Sequence, residues 1–196
     1  MITRIRDALR FVGVLVTAVV SGRPVHARGD EATRSLPGDE LVADAKVRWS
    51  HAITIRARPA DIWPWLVQMG CGRAGWYSYD GLDNGGVGSA ERIVPELQQV
   101  RVGDILPMSL KVEDTFVVRL VDPERALVLG DAAGGMVWEF VLEPVDENST
   151  RVITRVRATY DNPAFGLFLK GVWHPTHFAM ERRQLVNLKR LVEMAA

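Results

Sequence analysis

A chain of 196 residues with 47% hydrophobic and 24% charged residues is long enough to bury a sizeable core without disulfide or metal staples. Its 24 basic residues balance 24 acidic ones, so no global field draws it to nucleic acid or to an acidic partner. The single cysteine, Cys71, excludes an internal disulfide and a zinc site of the CxxC type.

Arg4, Arg6 and Arg10 precede an apolar run from Phe11 to Gly22. About a dozen apolar residues fall short of the roughly twenty that span a bilayer. With Val25-His26-Ala27 behind it, the run reads as a signal peptide cleaved after Ala27, as an uncleaved anchor, as an amphipathic helix on a membrane surface, or as a helix packed on the domain. Membrane association through residues 1–22 is the expectation, with export or a cytoplasmic location as alternatives. The polar stretch Gly29 to Asp39, with Pro37-Gly38 as a turn signal, reads as a linker. Residues 1–34 are therefore assigned to the N-terminal segment and linker, and 35–196 to the folded domain.

From Val47 to Arg56 apolar and polar residues alternate as in a strand with one buried face, which places His51 in the apolar row as a core histidine. Pro59-Ala60-Asp61 opens a helix in which Ile62, Trp65, Leu66 and Met69 recur at helical spacing, stopped by Gly70 and Gly72. The stretch Asp61–Asp83 holds Trp63, Trp65, Trp76, Tyr77 and Tyr79, more aromatic surface than can stay in water. A loop from Arg73 to Gly88 and a short helical pattern over Ala90–Gln98 follow. Beyond Val102-Gly103-Asp104 come short runs at Thr115–Asp122, Ala126–Gly130, Met136–Glu143 and Thr150–Tyr160, the signature of an antiparallel meander. In the last hairpin, Trp138, Phe140 and Leu142 share one face and Glu139 and Glu143 the other. Pairing Glu143 with Arg151 also pairs Glu139 with Arg155, which predicts charges on the outside and aromatics within. Asn162-Pro163 and His174-Pro175 are helix-start signals, and Phe178, Leu185, Leu188 and Val192 form the buried stripe of a long terminal helix. Helices gathered on one side of an antiparallel sheet make an α+β layout.

The order of elements, the strings Leu36-Pro37-Gly38-Asp39-Glu40-Leu41 and Trp63 to Gly70, Arg73-Ala74-Gly75-Trp76-Tyr77-Ser78-Tyr79-Asp80, and His177 to Arg182, resemble bacterial SRPBCC proteins of the START/Bet v 1-like superfamily. The resemblance covers about Ser35 to the C-terminus. It implies the helix-grip fold, a curved antiparallel sheet around a long C-terminal helix with an internal apolar cavity, and a lipid, sterol or polyketide-like ligand. Some members are cyclases or dehydratases, so the resemblance supplies a ligand class and no reaction. Similar proteins carry an apolar segment ahead of a stretch like Arg23 to Thr33, which favours an uncleaved anchor.

Such a cavity is expected to be walled by Trp63, Met69, Trp76, Phe116, Trp138, Phe140, Trp173 and Phe178, the alternative being a filled core. Tyr77, Tyr79 and Asp80 are the candidate polar groups at its mouth, a phenol donating to a ligand carbonyl and a desolvated carboxyl acting as a base. The opposing reading makes Asp80 a turn cap and the tyrosines a hydrophobic seam. His174 and His177 are three apart, yet Pro175 between them and the absence of a third ligand argue against a metal. Cys71 has no base beside it in sequence and reads as a small buried hydrophobe. Gly81, Gly85, Gly86 and Gly88 do not follow a strand, so no dinucleotide cradle and no cofactor is expected. Two functions emerge: a binding module for a hydrophobic small molecule, or a cyclase or dehydratase in the same cavity with Asp80 or His177 as acid or base. An interaction protein with exposed aromatics is a third. Neither ligand identity nor oligomeric state is legible in these residues.

Overall fold

The computed structural model describes residues 25–110 and 115–196. The expectations placed on residues 1–22 lie outside this range. Six antiparallel strands, β1 (Val47–Ile55), β2 (Ile105–Pro107), β3 (Thr115–Asp122), β4 (Ala126–Gly130), β5 (Met136–Asp146) and β6 (Ser149–Ala158), form one sheet in the order β1-β6-β5-β4-β3-β2. Helices α1 (Pro59–Val67) and α2 (Asp80–Asp83) lie between β1 and β2. After β6, α3 (Pro163–Phe168) runs through a π-helical turn, Leu169–Trp173, into α4 (His174–Ala195). The sheet curves around this 33-residue C-terminal helix, which is the helix-grip, Bet v 1-like arrangement.

The termini of these helices follow from local chemistry. Asn162 caps α3 by accepting the Ala164 N–H at 2.9 Å. Pro175 cannot donate to the carbonyl of Gly171, and its ring would clash there in an α-helix. A π turn sits where that clash would arise, so the chain continues as a helix through both start signals. At the end of α1 the Arg73 guanidinium satisfies orphan carbonyls, donating to Met69 O and Val67 O at 3.0 Å each. The helical pattern over Ala90–Gln98 forms only the 3-10 turn Pro95–Leu97. Gln68 takes over the backbone there, accepting the Val94 N–H at 2.9 Å and donating to Arg92 O at 3.2 Å, which makes an extended path as well satisfied as a helix.

The β5–β6 register is the expected one, with Glu139 opposite Arg155 and Glu143 opposite Arg151. The expectation that these charges face water fails for Glu139, Arg151 and Arg155, which are buried, whereas Glu143 stays about one-third exposed. Residues 25–46 run across the outer face of the sheet, with Leu36 packed on Ala52, Val141 and Ile153, and Val42 on Val128 and Val137. Gly38 crosses so close that a Cβ there would meet Val128 Cγ1 at 2.9 Å. Arg155 is fully buried beneath this strap. Its guanidinium donates to Asp39 Oδ2 at 2.7 Å, Glu31 O at 2.8 Å, Arg34 O at 2.9 Å and Ser50 Oγ at 3.0 Å. Arg151 holds Glu31 with two bonds, at 2.8 and 2.9 Å, and donates to His26 O at 2.7 Å. The arginines therefore bind the strap and leave Glu139 beneath it as a buried carboxyl, pushed up to about 8 by burial and by the neighbouring Asp39 carboxylate. Burial opposes ionisation of Asp39 as well, but the Leu36 N–H and Arg155 hold its carboxyl below the usual range.

Candidate functional site

The inner face of the sheet carries the aromatics. Trp138 of β5, Phe116 of β3 and Trp76 of the loop meet with ring centroids 5.6 to 5.7 Å apart. They are too bulky to close against α4 without a gap. Between them and α4 lies a cavity of about 140 Å³, walled also by Met108, Trp173, Thr176, His177 and Met180. Five polar or ionisable groups besides His177 touch this apolar space: Ser78, Asp83, Thr176, Glu181 and Gln184. A core residue on a helix stripe is ordinarily apolar, so Glu181 at 3% exposure requires partners. It has them: Trp138 Nε1 donates to Oε1 at 2.9 Å, and His51 Nδ1 lies in close contact with Oε2. Burial would raise the Glu181 carboxyl, but His51 and His177 hold it down at about 2. His177 stacks on Trp173 with centroids 4.5 Å apart and meets the edge of Trp138, its Nδ1 3.9 Å from Glu181. Burial holds its pKa below the ordinary histidine value. His174 stacks on Trp49 at 4.4 Å and is pushed down to about 4 by burial and by the other two histidines.

Asp83, at the end of α2, is the second buried acid of the cavity. It is 6% exposed, and neither carboxyl oxygen has a hydrogen-bond partner among the described residues. Ser78 nearby directs its one hydroxyl proton to Met180 O at 3.0 Å. Burial first, and then the Asp80 charge, push Asp83 up to about 7, which Ser78 and the Tyr79 backbone offset only in part. The loop that delivers Asp83 is firmly built. Tyr77 adopts φ of +57°, a strained conformation for a bulky residue, and is held there at every polar atom. Its N–H donates to Ser89 Oγ at 3.0 Å and its C=O accepts from Asn187 at 2.7 Å. Its hydroxyl accepts from Gln68 at 2.7 Å and donates to Trp65 O at 3.2 Å.

Of the residues expected around the ligand, Trp76, Phe116, Trp138 and Trp173 line the cavity. Met69 and Phe140 lie fully buried in the core beneath it, and Trp63 packs half-buried against that core. Phe178 covers His51 at a centroid distance of 4.8 Å. Tyr77 points its hydroxyl into the core, as described, and Tyr79 lies buried under the Arg183 guanidinium, 5.4 Å from its ring centroid. Asp80 accepts from the Ser89 backbone at 3.1 Å and from its hydroxyl, and it borders a separate polar cleft of about 170 Å³ on the other side of Ser78. Of the two acid or base candidates, His177 reaches the apolar cavity and Asp80 does not. Cys71 is buried, its thiol pushed up by burial and by Asp83. Among the described residues no group of three His, Cys, Asp or Glu could hold a metal ion, and no helix is long and apolar enough to cross a membrane.

Sequence reasoning missed Glu181 and Asp83. Glu181 was findable: it stands three residues after Phe178 and four before Leu185, inside the apolar stripe, and four after His177. Asp83 had no such signal, because a loop has no period to violate.

No family model matches the sequence, and no curated protein matches it. Solved structures do. A conserved protein of unknown function from Enterococcus faecalis is 16% identical over 80% of this chain and 81% of its own, with a TM-score of 0.50. A polyketide-cyclase-like protein from Corynebacterium glutamicum is 15% identical over 76% and 87%, with a TM-score of 0.37. The Aha1 protein of Colwellia psychrerythraea, a dimer in solution, is 19% identical over 75% and 96%, with a TM-score of 0.40. At these identities the likeness is one of fold.

Proposed function

We propose that this protein binds a compact lipophilic small molecule between the sheet and α4. The observation that carries this reading is the void itself: an aromatic-walled, predominantly apolar space of about 140 Å³ beside Trp138. An apolar cavity of comparable size, about 150 Å³, accepts benzene, which sets the scale of the occupant at one ring or a short chain. Apolar burial supplies the affinity, and the polar groups among the aromatics fix orientation. The test is a titration with benzyl alcohol followed by the indole N–H resonances of Trp76, Trp138 and Trp173. Saturable shifts are expected, and Thr176→Phe, which fills the space, weakens binding at least about tenfold. A wild-type protein whose three indoles ignore the probe would overturn the reading.

One observation favours a second reading, in which the same cavity catalyses a cyclase- or dehydratase-type reaction. Asp83 and His177 both reach the space, the first with its pKa moved up to about 7. A carboxyl near neutrality and a neutral imidazole are a workable acid and base. Turnover of a polyketide-like substrate that survives Asp83→Asn and His177→Gln together would dismiss this pair. Residues 1–22 would hold the protein at a membrane, and flotation of the full chain with liposomes, lost on their removal, tests that role.

A further inference from the structure

The walls of the cavity carry a charge pattern as well as an apolar surface. Trp76, Phe116, Trp138 and Trp173 border it with aromatic rings, whose faces are electrostatically negative. Two carboxyl groups, Asp83 and Glu181, border the same space, and no lysine or arginine does so among the described residues. The two acids differ in state. Glu181 is engaged on both oxygens, by Trp138 Nε1 and by His51. Asp83 is more than nine-tenths buried and borders the cavity, and neither of its oxygens meets a partner in hydrogen-bond geometry among the described residues, Ser78 and the Tyr79 backbone offsetting its burial only in part. A buried, unpartnered carboxyl costs free energy unless something comes to meet it. The groups around it give no cation: Asp80 on its own helix, the Cys71 thiol, and Glu181 and His177 from α4, with the histidine's pKa lowered by burial. The Trp76 indole N–H is likewise buried without a partner among the described residues, a donor awaiting an acceptor.

We infer that the cavity selects a small organic ammonium ion, with Asp83 as its counter-ion and the tryptophan faces as its cage. The inference rests on the proposed binding function and names the ligand class for it. Aromatic faces attract an alkylated or primary ammonium through the ring quadrupole, most strongly where water is excluded. A carbonyl or hydroxyl on the same molecule would satisfy Trp76. A carboxylate ligand would meet two acids and no cation, and a neutral ligand would leave Asp83 unpaired.

Three probes of nearly one shape separate the cases: benzylamine, benzyl alcohol and benzoate, titrated into the full chain by calorimetry or indole resonances. Benzylamine should bind at least about tenfold tighter than benzyl alcohol, and benzoate most weakly. Asp83→Asn should remove the preference for the amine over the alcohol, with a cooperative thermal transition and dispersed indole resonances reporting that the variant is folded. Benzylamine affinity should fall as pH drops below about 7, where Asp83 takes up a proton, while benzyl alcohol affinity stays level. Equal binding of amine and alcohol, or tighter binding of alcohol or benzoate, overturns the inference and leaves the cavity function standing. Binding of none of the three overturns both.

Discussion

Arg155→Met is the sharpest probe of how the sheet is closed. Methionine preserves most of the aliphatic stem and removes the guanidinium, so the packing of the strap changes little while four acceptors are abandoned. Those are the Asp39 carboxylate at 2.7 Å, two backbone carbonyls at 2.8 and 2.9 Å and the Ser50 hydroxyl at 3.0 Å, all under a side chain with no exposure. Asp39 retains the Leu36 N–H at 3.0 Å and Arg157 at 3.2 Å, and so is weakened without being stranded. Breaking a buried ion pair from one side costs about 3–5 kcal/mol. At roughly 2–4 °C per kcal/mol for a chain of this size, the midpoint of thermal unfolding should drop by roughly 6–20 °C. Urea unfolding measures the free energy directly, and with an m-value near 2 kcal/mol per M the midpoint moves by about 2 M. Limited proteolysis adds a local readout, with cleavage appearing within Gly29–Asp39 before the sheet unfolds. Adding Asp39→Asn to the variant should recover part of the loss, because the carboxylate that has lost its nearest cation is then neutral. A loss below about 1 kcal/mol, or no new cleavage in the strap, would refute the claim that the guanidinium fastens it.

The buried carboxyl below the strap makes stability depend on pH in an unusual direction. Glu139 titrates near 8 in the folded chain against an ordinary 4.5, so the folded state binds the extra proton between those values, and stability declines as pH rises from about 4.5 to 8. Asp83, moved from 3.8 to about 7, adds a decline of the same sign, while Glu181, moved down to about 2, is stabilising above 4.5 and loses that contribution as pH falls toward 2. Glu139→Gln should flatten the alkaline limb of a urea-midpoint profile; an unchanged slope between pH 5 and 8 would show that Glu139 is already ionised. Tyr77→Phe should cost about 1–2 kcal/mol in the same assay, by removing the hydroxyl between Gln68 and Trp65, and leave benzyl alcohol binding intact. Weakened binding with unaltered stability would return that hydroxyl to the cavity mouth.

The fold was legible where one period ran uninterrupted. Alternation in β1, β5 and β6 identified the sheet, its register and the inward face of Trp138, and the stripe from Phe178 to Val192 identified the long helix. The closed outer face was not legible, because Arg151, Arg155 and Glu139 read as solvated charges until a second layer covers them. That layer, Gly29 to Asp39, is polar by composition and signals a linker. Only Leu36 and Gly38 hint that it lies down on a surface. For the cavity, large aromatics identified a wall but no residue pattern announces a void, since whether bulky side chains fill a space is decided by three-dimensional packing. The place of the Tyr77 hydroxyl was hidden for a related reason. A phenol in a flexible-looking segment suggests ligand contact, and here Gln68 and Trp65 claim it for the core.

The Arg151 clamp on Glu31 and His26 also decides how the molecule would bear a load. If the chain ahead of Val25 is held fixed, tension enters the domain at residues 25–31 and meets two guanidinium–carboxylate bonds and a guanidinium–carbonyl bond directed across the strap. The force is transferred there into β6, a central strand flanked by β1 and β5, and spreads through the hydrogen-bonded sheet. The aromatic chamber lies on the opposite face, between β5 and α4, and of the loaded residues 25–31 only Val25 joins the core cluster around it. A tethered copy could be tugged and still keep the shape of its ligand site.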